Sequence, residues 1–92
     1  MQAIWNGTVI AESDDTVIVE GNHYFPFDSI KEEYYSKTEL TTFCGWKGMA
    51  NYYSVTVDGK TNKDCAWYYV EPNDAASKIK GMVAFWNGVD VK

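Results

Sequence analysis

Three dipeptides limit what this chain can become. Asn6-Gly7, Asp58-Gly59 and Asn87-Gly88 each lie between stretches rich in β-branched and aromatic residues. Asn-Gly and Asp-Gly are favoured at the centre of the two-residue type I′ turn, whose twist matches the strands of a hairpin. "AIWNGTVIA" therefore predicts a first hairpin, and "MVAFWNGVDV" predicts a closing one. Between them, "DDTVIVEG" predicts a strand from Thr16 to Glu20. "GNHYFPFDSI" begins at a turn, and Pro26 makes it at best an edge strand, because proline cannot donate to a ladder.

"GMANYYSVTVDGKTNKDCAWYYV" predicts a central hairpin. With a type I′ turn at Asp58-Gly59, Val57 opposes Lys60. Continued inward, that register pairs Tyr52 with Cys65, Ala50 with Trp67 and Gly48 with Tyr69 on one face. Tyr53–Asp64, Asn51–Ala66 and Met49–Tyr68 share the other. Two segments are helix-like. "DSIKEEYYS" has Asp28 as a cap and Glu32 and Glu33 for a first turn. "EPNDAASKIKG" offers Asn73 or Asp74 as a cap, a short helix to about Lys80 and Gly81 as its stop. The expected architecture is one domain over residues 1–92, mainly β and antiparallel, with six to eight strands and two short helices.

Composition narrows the function classes. The chain has four Trp, seven Tyr and four Phe in 92 residues, and large rings help a small domain close its core. The net charge is −5 and all the basic residues are lysines. Without arginine for bidentate phosphate or guanine contacts, a nucleic-acid partner is not expected. No apolar run approaches the roughly 18 residues of a membrane span, and no charged-then-apolar leader is visible. The expectation is a soluble cytoplasmic domain, not bound to membrane or nucleic acid, monomeric or a weak homodimer. Cys44, Cys65 and His23 are dispersed and too few for the four ligands of structural zinc, so neither metal nor cofactor is expected.

Two chemistries compete for "TTFCGWKGMANYYSV". The first is a ligand cleft. Small Gly48 and Ala50 facing Trp67 and Tyr69 leave room above the backbone. Trp46, Tyr52 and Phe85 can complete aromatic walls suited to apolar, planar or cationic ligands. Lys47 at the rim can orient a carboxylate or phosphate, and Cys44 borders the same space. Against this stands simple packing, with the rings as core and Lys47 solvated. The second is a nucleophile. Lys47 favours the thiolate of Cys44, and His23 is the only histidine that could act as base. Against it, a free cysteine behaves as a small hydrophobe and a turn histidine is commonly solvated. Glu20, if it points inward, is an acid or acceptor near His23 and Tyr24. Asp64 facing Tyr53 can accept its hydroxyl.

"AIWNGTVIAESDDTVIVEGNHYFP", "CGWKGMANYYSV", "KDCAWYYVEP" and "GMVAFWNGV", in that order from Ile4 to about Val89, resemble the domain of unknown function 427 family. Gly45 stands where the family's cysteine motif has proline. Cys65 and Val70 stand where its later motif has alanine and proline. The resemblance implies a small antiparallel fold similar to the β-tent group, which includes methionine-R-sulfoxide reductases, the ligand-binding domain of cereblon and the formaldehyde-activating enzymes. Many of that group hold zinc on two C-x-x-C knuckles, which are missing from this sequence. A nucleotidyltransferase label carried by the family finds no Gly-rich phosphate cradle, no paired aspartates at metal spacing and no arginine here. Three functions stay open: binding of a small molecule or peptide in an aromatic-walled cleft, a thiol-dependent redox or transferase enzyme using Cys44, and a protein-interaction domain.

Overall fold

All three dipeptides adopt left-handed pairs: Asn6 and Gly7 at φ +51° and +72°, Asp58 and Gly59 at +52° and +77°, Asn87 and Gly88 at +55° and +90°. A fourth pair, Glu20 and Gly21, turns the same way at +53° and +79°. The computed structural model of the protein describes residues 1–92. Nine strands arise between these turns: β1 Gln2–Trp5, β2 Thr8–Glu12, β3 Val17–Val19, β4 Asn22–Pro26, β5 Tyr35–Cys44, β6 Gly48–Val57, β7 Lys60–Tyr68, β8 Met82–Phe85 and β9 Asp90–Val91. All pairings are antiparallel. They form a three-stranded sheet, β2-β1-β9, and a six-stranded sheet, β3-β4-β8-β7-β6-β5. No helix is long and apolar enough to cross a membrane.

The six-stranded sheet buries both faces. On one, Phe25, Val55, Val57, Cys65, Ala66, Val83 and Phe85 meet Ala3, Ile10 and Ala11 of the smaller sheet. On the other, Tyr24, Ala50, Tyr69, Met82 and Ala84 are covered by Ala76 and Ile79 from the segment after β7. Strand alternation sorts these residues: Tyr24 and Phe25, or Ala84 and Phe85, go to opposite faces.

The structure corrects five of the expectations. Neither helix-like segment forms an α-helix. The first breaks into two 3₁₀ turns, Phe27–Ser29 and Glu32–Tyr34. The second is a 3₁₀ stretch, Asp74–Ile79, interrupted at Ala76 and without a side-chain cap. Segments this short cannot repay helix nucleation. The central hairpin begins in the expected register, Val57↔Lys60 to Val55↔Asn62, then resumes as Tyr53↔Ala66, Tyr52↔Trp67 and Asn51↔Tyr68. Ser54 alone thus faces Lys63, Asp64 and Cys65. Asp64 takes φ +56° and donates its backbone N–H to Ser54 Oγ at 3.0 Å. The closing turn forms but its strands do not pair. β9 crosses to β1 instead, through reciprocal Gln2–Lys92 bonds of 2.8 and 2.9 Å. β4 is flanked by β3 and β8, not an edge strand, although Pro26 lies past the end of β3 and pairs only with Met82. Finally, the strands number nine, and β5, ten residues long with a break in register between Lys37 and Thr41, ends the large sheet as a free edge.

Candidate functional site

The loop Gly45–Lys47 between β5 and β6 is folded inward by the chain that follows β7. Asn73 donates its backbone N–H to the Lys47 carbonyl at 2.8 Å, and its side-chain amide to the Gly45 carbonyl at 3.4 Å. Gly48 makes this closure possible. Its φ is +113°, and a Cβ there would meet the Glu71 carbonyl at 3.4 Å. The room expected above Gly48 is therefore occupied by residues 71–73.

This clamp drives Lys47 into the protein. Its side chain is 9% exposed and forms an ion pair with Glu20, whose side chain is 51% exposed. The ammonium lies 5.6 Å from the centre of the Trp46 ring and 5.7 Å from that of Tyr69, so the ring quadrupoles add to the field of the carboxylate. Burial works against the charged lysine, but Glu20 and the neighbouring Tyr24 and Tyr69 phenols outweigh it and hold its pKa above the usual range. The Lys47 hydrogen bond pulls the Glu20 carboxyl below its usual range, with a smaller burial effect opposing it. At neutral pH the pair is fully charged. A lysine held protonated in this way is an anion holder and not a nucleophile.

Glu20 occupies an unusual place. A non-glycine residue at positive φ is most easily asparagine or aspartate. The other such residues in this protein are Asn6, Asp58, Asp64 and Asn87. Glutamate is the exception, and it is the one whose side chain reaches the buried lysine.

Aromatic rings floor the group. Trp67 donates its indole N–H to the Tyr24 hydroxyl at 3.0 Å, and the two rings meet edge to face at 6.2 Å and 88°. Tyr24 is fully buried. Tyr52, directly opposite Trp67, shares its hydroxyl with Thr42 at 3.0 Å. Cys44, half-buried, faces Gly48 at the end of β5. The expected residues Cys44, Trp46, Lys47, Tyr52, Trp67, Tyr69 and Glu20 thus gather at one end of one face.

Phe85 does not join them. It packs with Phe25 and Tyr35 on the opposite face, because in β8 it is Ala84 that opposes Trp67. His23 also turns away. It alternates with Tyr24 along β4, and its Nδ1 lies 3.4 Å from the Thr16 hydroxyl. The ammonium proposed to activate Cys44 is engaged with Glu20. Asp64 bends the β7 bulge, and Tyr53 faces Ala66 in its place. Tyr24 and Asn73 are the members that sequence reasoning had not assigned. Alternation in "NHYFP" sets Tyr24 on the opposite face from His23 and Phe25, and only the packing of β4 beside β8 and β7 makes that the face of Trp67. No local signal links Asn73 to the loop.

No three His, Cys, Asp or Glu side chains converge as a metal site. The protein has one hollow, about 290 Å³, and it lies on the other face, lined by Ile30, Glu32, Tyr35, Lys37 and Tyr53. The profile of the family described as Domain of unknown function (DUF427) matches residues 1–92, and the chain belongs to that family. No curated protein matches the chain.

Proposed function

We propose that this member of the domain of unknown function 427 family is a small-ligand or peptide binding module, β-tent-like in build, whose recognition group is Lys47 in its aromatic setting. The observation that carries this reading is the pairing of a buried ammonium with a carboxylate that is half in water and mounted on a strained turn. A ligand carboxylate attached to a planar apolar body can take the place of Glu20 on Lys47 and lay that body against the exposed part of Trp46. Displaced, Glu20 re-enters water at little cost, since surface carboxylates are well solvated. Glu20 then acts as the resident occupant of the anion position.

Titration with benzoate, followed by tryptophan emission, tests this against the neutral isostere benzamide. Benzoate should quench saturably and benzamide should not. The response should vanish in Lys47→Met and strengthen in Glu20→Gln. Equal responses to the two compounds, or a benzoate response that survives Lys47→Met, would refute the assignment.

A second reading, a protein-interaction domain, is favoured by a separate feature. Phe43 and Met49 face each other across β5 and β6 and are 73% and 48% exposed, at the free edge of the large sheet. An extended peptide could add to that edge and cover both. Sedimentation with Phe43→Lys beside the unmodified protein tests the self-pairing version. Self-association unchanged by the substitution, or none in either protein, counts against it.

A further inference from the structure

The hollow on the opposite face is shaped by groups that the Lys47 site does not use. Tyr35 and Tyr53 form its wall, edge to face at 5.5 Å and 85°. Both rings are tied down. The Tyr35 hydroxyl donates to the Ile10 carbonyl at 2.9 Å, and Tyr53 stacks on Tyr68 at 4.6 Å. Ile30 is fixed by a bridge to Ala11, and the next residue donates its backbone N–H to the Ile10 carbonyl at 2.9 Å. Burial raises both phenol pKa values, so the wall is uncharged; the nearby Glu32 carboxylate contributes to the shift at Tyr53.

Two opposite charges stand on this one hollow. Glu32 comes from the 3₁₀ turn before β5, and Lys37 from β5 itself, directly opposite Tyr53. The ion pairs of the protein are Lys47–Glu20 and Lys80–Glu71, so Glu32 and Lys37 pair neither with each other nor with anything else. An unpaired acid and an unpaired base flanking a fixed aromatic wall complement a molecule that carries both charges and an apolar body. The volume lies just under the roughly 300 Å³ at which drug-sized pockets begin, which suits a ligand no larger than a single amino acid. Because its wall is already immobilised, the site has little ordering cost to meet on binding.

We propose that this hollow is a second ligand site, for a zwitterionic small molecule of amino-acid size: its ammonium faces Glu32, its carboxylate faces Lys37, and its apolar part lies against Tyr35, Tyr53 and Ile30. The inference does not depend on the Lys47 reading, which concerns the other face of the sheet.

The test is an NMR titration of the whole protein with L-phenylalanine, N-acetyl-L-phenylalanine and phenylethylamine; the last two each lack one of the charges. Phenylalanine should shift Ile30, Lys37 and Tyr53 signals saturably, with each analogue at least about tenfold weaker. Glu32→Gln should erase the preference over the acetylated compound, and Lys37→Gln the preference over the amine. Both residues are exposed, so the fold should tolerate either change, and Lys47→Met should leave the shifts of Ile30, Lys37 and Tyr53 unaltered. No saturable shifts, equal affinity for all three compounds, or shifts confined to Trp46 and Lys47 would each overturn the proposal. The last outcome would leave the Lys47 reading standing alone.

Discussion

Replacing Lys47 by methionine separates the site from the scaffold, and the structure sets the size of the effect. Methionine keeps a long unbranched stem, so most of the apolar burial is retained. What disappears is the ammonium, with its two ring contacts, each worth about 0.5–2 kcal/mol, and an ion pair with a half-exposed partner, which contributes little. What is relieved is the desolvation of a side chain only 9% exposed, a penalty of several kcal/mol in real proteins. These oppose one another, and the net change should stay within about 1 kcal/mol of the parent, given that buried charges replaced by apolar groups of similar volume are often neutral or stabilising. Glu20→Gln has the opposite logic. It removes the exposed partner and strands the buried charge, so it should destabilise more than Lys47→Met, although it deletes the more accessible group.

Urea midpoints for the two variants, read by circular dichroism, decide the order. The pH profile gives a second readout. Lys47 has a raised pKa in the fold, so its contribution is complete below the unfolded value of about 10.4 and fades as pH climbs through the higher folded value. Glu20 has a lowered pKa, so its contribution is complete above the unfolded value of about 4.3 and fades as pH falls through the lower folded value. Both components should be missing from Lys47→Met. A loss of about 3 kcal/mol or more in that variant, or a smaller loss in Glu20→Gln than in Lys47→Met, would show that the lysine holds the fold together and is not a recognition group in a self-sufficient scaffold.

Tyr24→Phe removes the acceptor of the Trp67 indole N–H and should cost about 1–3 kcal/mol by chemical denaturation, with an altered tryptophan emission maximum. Gly48→Ala must hold φ +113° and press on the Glu71 carbonyl, so a loss of about 1–3 kcal/mol is expected from the same measurement, along with weaker benzoate binding as the loop loosens. The thiol of Cys65 is fully buried, and burial pushes its pKa up to about 11, so iodoacetamide at pH 8 should label Cys44 in the folded protein and reach Cys65 only after unfolding.

The side-chain sorting of the central hairpin was legible because it depends on local alternation. Ala50, Tyr52, Trp67 and Tyr69 share a face as alternation requires, even though their partners differ from the simple register. The bulge at Lys63–Cys65 adds two residues, an even number, which changes who faces whom without turning the strand over. Cys65 itself, inside the bulge, went to the other cluster, and nothing around it distinguishes a bulge from a regular ladder before the tertiary contacts form. Phe85 was misplaced for a related reason: an aromatic residue in a run buried on both faces carries no mark of which face it takes.

By itself, the chain's pattern of Asn-Gly and Asp-Gly pairs between β-formers determined an antiparallel, hairpin-built domain, and its alternation determined most of the aromatic group around Trp46, Lys47 and Trp67. Those are short-range properties, written in neighbouring residues. The tertiary structure alone decided that Glu20, 27 residues away in sequence, would meet Lys47, that Asn73 would lock the loop, and that β9 would leave its turn partner for β1. It also decided that the hollow would open on the side away from Trp46 and Trp67. Each of these is a meeting of distant segments, set by how two sheets and one returning loop pack together, and no local spacing encodes it.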